Sequence, residues 1–442
     1  MMKEKKKLQN EGFVASVLMG LGHIRAAWPL KDVSKNGLLL YSGPDSCSKK
    51  EFKIWNSFLK AYYFMSNAEK IPIIGKLIYH LLMKAEEVPP LYPKKDYSKP
   101  NIQAKYLRSV IRRGLCKALA EKIKSEGFPP IVSTYFALSI GINELLPDFK
   151  KNYLLCTDTD LNRVWAPVDS KNSNIIFLAP SDTVVNRLIS FGVPENKIIL
   201  TGFPLPKENI GNEKDAKILK KDLFERILRL DPKKILIGKN RNILETALGK
   251  NPIPAKMPDF YTVMFAIGGA GAQFEIAEAA VFSLKNKIRE GKIKFVLSAG
   301  TKPKIGERFK QIVKKAKLDD LWTKGVDLVC DKDYRVYLEE FNKTLRHVDV
   351  LWTKPSELSF YTGLAIPILC APPIGPHEER NRDWILGMGA GLTMPGDAIY
   401  CNEWLEDMRN DGRLAWCALN GFMRAPRNGT FVIEKILHGE KI

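Results

Sequence analysis

The most constraining feature of this sequence is the regular alternation of short apolar runs with stretches of helical periodicity. Short apolar runs are typical of buried strands, and apolar residues three or four positions apart are typical of helices. Strands that alternate with helices predict a parallel sheet covered by helices. The alternation occurs twice, with predicted strands at residues 13–19, 37–41, 130–133, 152–156, 174–179 and 197–201 and then at 260–267, 294–298, 326–330, 348–352 and 366–371.

The intervening helices complete two α/β halves. A chain of 442 residues is too long for one ordinary core, so we expect two domains, residues 1–202 and 203–442. Between the halves, residues 212–230 predict a helix and residues 235–258 predict a basic, irregular loop. The other predicted helices are residues 51–65, 71–87, 104–126, 136–146, 183–191, 272–288, 306–316, 334–346, 357–363 and 379–388.

The charge balance points to anionic partners. There are 69 lysines and arginines against 49 aspartates and glutamates, which leaves a formal net charge of +20. Such an excess favours phosphates, nucleic acid or an anionic membrane surface. No RNA- or DNA-binding motif accompanies the charge, so nucleic acid is not an expected partner.

Cysteine usage and hydropathy indicate a cytoplasmic protein. The seven cysteines are scattered and form no CxxC pair, which argues against a zinc site or a disulfide framework and favours a reducing compartment. No apolar run reaches the ~20 residues of a transmembrane helix. The apolar run that follows the basic residues 1–7 is short, and we do not expect it to be a signal peptide.

The strongest local motif is a glycine-rich turn between a predicted strand and a predicted helix. It consists of Gly268, Gly269, Ala270 and Gly271. Glycines let the backbone approach a phosphate closely, and the helix N-terminus offers free N–H groups and a partial positive charge. Such turns also occur without a ligand, but this one stands at the carboxyl edge of a predicted sheet. We therefore predict that it binds a diphosphate.

A similar turn follows the first predicted strand. Gly20 and Gly22 clear space at the strand end, and His23 stands at the start of the next helix. An imidazole at this position could take a proton from a hydroxyl near neutral pH. A structural histidine that only supports the turn is an equally open interpretation.

Two further polar loops follow strands of the second half. The first contains Lys354, Ser356 and Glu357. Ser356 could cap the next helix. The negative charge of Glu357 could be stabilised by the helix dipole, or its carboxylate could accept hydrogen bonds from ribose hydroxyls. The second contains Glu378, Arg380 and Asn381. Taken alone, the second loop is more simply interpreted as a surface turn. The glycine-rich turn and these two loops should, however, converge on one edge of the second sheet.

Taken in order, these motifs resemble the GT-B glycosyltransferases. The branch is that of the diacylglycerol galactosyltransferases and of the transferase that adds N-acetylglucosamine to the lipid-linked peptidoglycan precursor. The resemblance covers roughly residues 13–395. Its matching segments are the acceptor-side loop at 20–23, the run up to the interdomain linker at 133–134, 156–165 and 192–204, the diphosphate loop at 268–271, and the sugar-nucleotide signature at 353–357 and 375–381.

The resemblance implies a fold and an activity. The fold would be α/β of the GT-B type, with two Rossmann-like domains whose parallel sheets face a central cleft, and with C-terminal helices that cross back to the first domain. The activity would be that of a hexosyltransferase that moves a sugar from a nucleotide-linked donor, expected to be a UDP-sugar, to a hydroxyl acceptor with inversion.

The resemblance also assigns roles to residues. The diphosphate would lie on residues 268–272 with help from Lys354 or Arg380, and Glu357 would hold the ribose. The remaining donor contacts would come from Ser356, Glu378 and Asn381, and the acceptor hydroxyl would lie near His23, with Gly20, Gly22 and Arg25 in the acceptor-side loop. Asp158 and Glu378 are rival candidates for the base.

No metal or other cofactor is expected. Fixed backbone dipoles and cations would stabilise the leaving group instead. Asp158, Thr159 and Asp160 form a DxD triplet, but this triplet lies in the first half and is predicted to be structural.

The acceptor and the reaction class remain open at this level. Basic and aromatic residues are frequent in residues 54–116, which suits a peripheral membrane surface and a lipid acceptor, although a solvated basic surface is the plainer interpretation. A sugar-nucleotide epimerase shares the two-domain architecture and would need no acceptor. A non-catalytic protein that binds a nucleotide-sugar is the third interpretation.

The diphosphate loop supplies a first testable prediction. UDP should raise the temperature of thermal unfolding, because a ligand that binds only the native state stabilises it. The substitution Gly269→Asp should abolish this rise, because it introduces a carboxylate where the diphosphate is expected. If the Gly269→Asp protein binds UDP normally, the glycine-rich turn is purely structural.

Overall fold

The computed structural model describes residues 12–67, 88–267 and 273–440, and in it the chain divides into two compact units. The first comprises Met1–Pro204 together with Pro426–Ile442, and the second comprises Leu205–Ala425. The predicted domain boundary was residue 202, whereas the structure divides at Pro204. Residues 426–442 belong to the first unit. The predicted boundaries place them in the second domain, but the prediction also had C-terminal helices cross back to the first.

The first unit is built on a parallel sheet that has six strands in the described part of the chain, in the order β2-β1-β3-β4-β5-β6. Its helices are α1 (Gly22–Ala27), α2 (Lys49–Asn67), α3 (Ile102–Arg112), α4 (Lys117–Ser125), α5 (Phe136–Leu145) and α6 (Asp182–Ser190). Its strands are β1 (Gly12–Ser16), β2 (Ser34–Leu40), β3 (Ile131–Ser133), β4 (Asn152–Leu155), β5 (Ile175–Ala179) and β6 (Ile198–Leu200).

The second unit is built on another parallel sheet, whose described strands number six in the order β12-β11-β10-β7-β8-β9. Counted from its own first strand, this is the order 3-2-1-4-5-6 of dinucleotide-binding Rossmann sheets. Its strands are β7 (Tyr261–Ala266), β8 (Ile293–Gly300), β9 (Val326–Cys330), β10 (Val350–Thr353), β11 (Ile368–Cys370) and β12 (Gly391–Thr393).

Helices follow most strands of the second unit, as in other α/β folds. They are α7 (Lys207–Ile210), α8 (Lys217–Leu230), α9 (Ile235–Leu248), α10 (Phe274–Arg289), α11 (Pro303–Lys315), α12 (Tyr334–Leu345), α13 (Pro376–Gly387), α14 (Cys401–Asn410) and α15 (Arg413–Arg424), and α16 (Gly429–Leu437) follows in the first unit. The predicted fold class, α/β with two Rossmann-like domains built on parallel sheets, is confirmed. Among the described residues, no helix is long and apolar enough to span a membrane.

Two predicted elements are wrong. The basic loop predicted over residues 235–258 begins with α9, because Asp231 accepts hydrogen bonds from the N–H groups of Ile235 and Ile237 at 2.7 and 2.9 Å and thereby caps the helix. The single helix predicted over residues 104–126 is two helices. The chain breaks where Gly114 and Cys116 adopt positive φ angles of 117° and 67°, which no continuous helix allows.

A buried ion pair holds the loop after β4 against α6. The Arg187 guanidinium donates from Nε and Nη2 to the two carboxylate oxygens of Asp160 at 2.7 and 2.9 Å, and both side chains are buried. Nη2 of Arg187 also donates to the Pro89 carbonyl at 2.6 Å. Asp160 therefore has a structural role, as the sequence analysis expected for the Asp158–Asp160 triplet.

This pair gives a stability prediction. Asp160→Asn should lower the free energy of unfolding by about 3–5 kcal/mol, because it leaves a buried guanidinium without its counter-charge. The matched control is Asp182→Asn in the exposed first turn of α6, which should change stability by less than about 1 kcal/mol. Urea unfolding followed by tryptophan fluorescence measures both. Equal, small effects of the two substitutions would contradict the structural role of Asp160.

Candidate functional site

Both sheets have a topological switch point, where the strand order reverses direction. In the first sheet it lies between β1 and β3, and in the second it lies between β7 and β10. Open α/β sheets bind ligands outside the carboxyl ends of the strands at such points, because the connecting helices leave there on opposite faces and open a crevice. The residues that follow these four strands are therefore the first candidates for a site.

His23 lies at the switch point of the first sheet. It follows the loop after β1, and its Nδ1 lies 2.7 Å from the carbonyl oxygen of Thr134, which directly follows β3. A carbonyl only accepts hydrogen bonds, so Nδ1 donates and the neutral ring carries its lone pair on Nε2. The Thr157 hydroxyl, which follows β4, lies 3.4 Å from the same Nδ1. Three strand ends thus orient one imidazole.

Aromatic side chains flank the His23 ring. The centroid of the Tyr135 ring lies 4.9 Å away in an edge-to-face arrangement, and that of Trp165 lies 6.4 Å away. Gly20, in the loop before the histidine, has a φ of 89°, which favours glycine at this turn. Arg25, predicted as part of the acceptor-side loop, is 3% exposed and belongs to the interior of the first unit.

The switch point of the second sheet holds the predicted donor loops. Gly268, Gly269, Ala270 and Gly271 lie outside the described residues, so their predicted contact with a diphosphate stays a prediction. The backbone on either side is described. Thr353 Oγ1 donates to the Ala266 carbonyl at 2.9 Å, and Gln273 Nε2 donates to the Pro372 carbonyl at 2.5 Å. The first bond joins the ends of β7 and β10, and the second joins the start of α10 to the loop after β11.

Two lysines lie on either side of the end of β7. Lys302 follows β8 and Lys354 follows β10, and β8 and β10 are the two neighbours of β7 in the sheet. The pKa of Lys302 is lowered, first by burial and then by the positive charge of Lys354. The charges of the two lysines therefore affect one another at this edge, and a bound anion would stabilise both.

Glu378 neutralises part of this charge. Lys354 Nζ donates to Glu378 Oε1, and the N–H of Ile374 donates to Glu378 Oε2 at 2.8 Å. The Glu378 side chain is buried, and His377 Nε2 lies 3.9 Å from its Oε1. The carboxylate thus fixes Lys354 and the loop before α13 in one position.

The other predicted donor residues differ in how they are placed. Ser356 precedes the 3₁₀ helix Glu357–Leu364, but its side chain makes no capping hydrogen bond. The predicted capping role of Ser356 is therefore wrong.

Glu357 is half-buried in the first turn of this helix. Asn381 is buried and donates to the Pro355 carbonyl at 3.4 Å, so it connects α13 to the loop after β10. Arg380 is partly exposed, and its Nη1 lies 4.0 Å from Oδ2 of Asp383.

The candidate site residues therefore form two separate groups, one at each switch point. The first group consists of His23, Thr134 and Thr157, and the second includes Lys302, Lys354 and Glu378. Lys302 was not among the predicted site residues, and no local pattern identifies it, because its place beside β7 depends on the strand order β8-β7-β10. Among the described residues, no group of three or more His, Cys, Asp or Glu side chains could hold a metal ion.

Comparison with known families and curated proteins gives little. A domain of unknown function (DUF6938) matches residues 307–391, which lie in the second unit and include Lys354 and Glu378. No curated protein matches the chain.

Several solved structures are similar over nearly the whole chain. MurG from Acinetobacter baumannii has a TM-score of 0.48 and 11% identity, covering 97% of this chain and 99% of its own. A UDP-GlcNAc 2-epimerase from Neisseria meningitidis bound to UDP-GlcNAc has a TM-score of 0.43 and 11% identity, covering 97% and 100%. WaaG, a glycosyltransferase involved in lipopolysaccharide biosynthesis, has a TM-score of 0.42 and 12% identity, covering 97% and 100%. At these values, the chemistry has to be argued from the residues of the site.

Proposed function

We propose that this chain is a glycosyltransferase that transfers a hexosyl group from a UDP-sugar to a hydroxyl acceptor with inversion. The observation that carries the proposal is the chemistry of the two switch points. One carries an imidazole with an assigned basic nitrogen, and the other carries two lysines beside the end of a Rossmann strand. A proton acceptor and a cationic site for a leaving group are the two components that such a transfer needs.

The cations support the donor half of the proposal. A UDP leaving group develops negative charge on its diphosphate as the bond to the sugar breaks, and Lys302 and Lys354 would stabilise that charge. Because Glu378 already holds Lys354, this ammonium group needs little reorganisation when the donor binds. Glu357, in the loop after β10, is the proposed partner of the ribose hydroxyls.

His23 supports the acceptor half. As the acceptor oxygen attacks the anomeric carbon, its proton would move to Nε2 of His23, and the bond between the anomeric carbon and the diphosphate oxygen would break. The Thr134 carbonyl stabilises the imidazolium that forms, because it accepts the hydrogen bond from Nδ1 in both protonation states. Attack from the face opposite the leaving group inverts the anomeric configuration.

The acceptor is proposed to be a lipid hydroxyl at a membrane surface. Ile102, Tyr92 and Tyr106 are 85%, 70% and 58% exposed. Lys94 and Lys105 stand within the same stretch of the first unit and are exposed as well. Exposed apolar side chains beside basic ones are typical of proteins that bind the interface of anionic membranes.

The donor half is tested with Lys302. Lys302→Gln should weaken UDP binding by about tenfold or more, because a charge-assisted contact to phosphate is lost. Wild-type affinity should also fall as the pH rises through the lowered pKa of Lys302, since deprotonation removes the cation. Calorimetric titration with UDP at several pH values measures both effects.

Lys304→Gln is the matched control, because Lys304 is an exposed lysine in the first turn of α11, the helix that Lys302 directly precedes. It should leave UDP affinity within about twofold of wild type. Lys302 is preferred to Lys354 for this test, since removing Lys354 would leave the buried Glu378 without its counter-charge. Equal UDP affinities of the Lys302→Gln and wild-type proteins would remove Lys302 from the donor site.

The acceptor half is tested with His23. His23→Ala should lower turnover of the UDP-sugar by roughly 10²-fold or more and leave UDP affinity almost unchanged, because it removes the proton acceptor but no donor contact. His347→Ala, an exposed histidine of the second unit, is the control and should retain full turnover. A folded His23→Ala protein whose turnover falls by less than about threefold would assign the base to another residue.

A further inference from the structure

A basic groove lies on the first unit, where it shares Lys105 with the proposed membrane surface and contains none of the residues of the two switch points. Helix α3 buries one apolar face, formed by Ala104, Leu107, Val110 and Ile111. Its opposite face carries bases at the spacing that places side chains along one side of a helix. The residues that line a groove of about 390 Å³ there are Lys105, Arg108, Ser109, Arg112, Arg113 and Val168.

The positive charge in this groove is only partly compensated. Arg108 Nε donates to Glu144 Oε2 at 3.0 Å, and Arg112 Nε lies 3.8 Å from the same oxygen. Within the described part of the chain, neither Lys105 nor Arg113 has a carboxylate at ion-pair distance. Among the described residues, four cations line the groove and Glu144 pairs with two of them, so the groove retains an excess of positive charge.

The wall of the groove opposite the helix is held in place. Val168 follows a loop whose Ala166 and Pro167 carbonyls accept hydrogen bonds from Arg163 at 2.6 and 3.2 Å. The same guanidinium donates to the Tyr97 and Ser98 carbonyls at 3.0 and 2.8 Å, just before α3. One buried arginine thus joins this loop to the segment that precedes α3.

From these observations we infer that the α3 groove binds a phosphomonoester group. The planar guanidinium groups of arginine match phosphate oxygens in pairs, and a dianionic phosphate compensates more of the excess charge than a singly charged group does. The Ser109 hydroxyl adds a neutral donor within the same groove. Such a group occurs both as the headgroup of phosphatidic acid and in free compounds such as glycerol phosphate.

The test uses the full chain and the double variant Arg112→Gln/Arg113→Gln, whose side chains are exposed, with Lys105→Gln as a second variant. Sedimentation with phosphatidylcholine vesicles that contain phosphatidic acid measures lipid binding. We expect at least about tenfold weaker binding by the double variant and a smaller loss in Lys105→Gln. Lys314→Gln/Lys315→Gln on α11 removes the same charge from an exposed helix elsewhere and should bind like wild type.

Free glycerol phosphate distinguishes the two sources. If it competes with the vesicles, the groove takes soluble phosphomonoesters. If it does not compete, the groove takes the lipid headgroup, and in both cases the loss in the double variant supports the site. Equal binding to phosphatidylserine vesicles of the same surface charge would overturn the inference, as would an equal loss in the α11 control or no binding of either ligand by wild type. None of these measurements requires a donor or turnover, so the result is independent of the proposed transferase activity.

Discussion

Parallel pairing with one reversal of strand order is the constraint on which the rest of this structure depends. Because every strand of a sheet runs the same way, the loops that follow the strands all meet at one edge. The reversal between β1 and β3 in the first unit, and between β7 and β10 in the second, then decides which of these loops are neighbours. His23 meets Thr134 because of the first reversal, and Lys302 and Lys354 lie on either side of β7 because of the second.

The charges at the second edge are arranged at an energetic cost. Burial and the charge of Lys354 both disfavour the ammonium form of Lys302. Glu378 offsets part of that cost, since its buried carboxylate receives both Lys354 and the N–H of Ile374. Such an arrangement is unfavourable for an empty surface and favourable for one that binds an anion. This asymmetry is the physical reason for proposing that donor phosphates bind at this edge.

The sequence allowed most of the fold to be predicted, and also the position of His23 at a strand end, whereas the predicted binding roles stay predictions. Alternating apolar runs predicted two parallel sheets, and the turn at Gly20 and Gly22 predicted that His23 would stand at a strand edge. Lys302 could not be found in this way, because its relation to Lys354 depends on the strand order β8-β7-β10, which no local pattern encodes. Helix α9 was missed for another reason. The lysines, asparagines and prolines in and after this segment are typical of a loop, and they outnumber its few buried apolar residues. The cap from Asp231 is likewise not evident from the sequence pattern.

In the proposed reaction, an acceptor hydroxyl displaces UDP from a sugar. A ¹H NMR time course with a UDP-sugar and a lipid alcohol acceptor tests this most directly, because the anomeric signals of donor and product are resolved from each other. We expect UDP to appear in step with one new glycosidic anomeric signal of inverted configuration, and only when the acceptor is present. A UDP-sugar epimer that accumulates without acceptor and without release of UDP would contradict it.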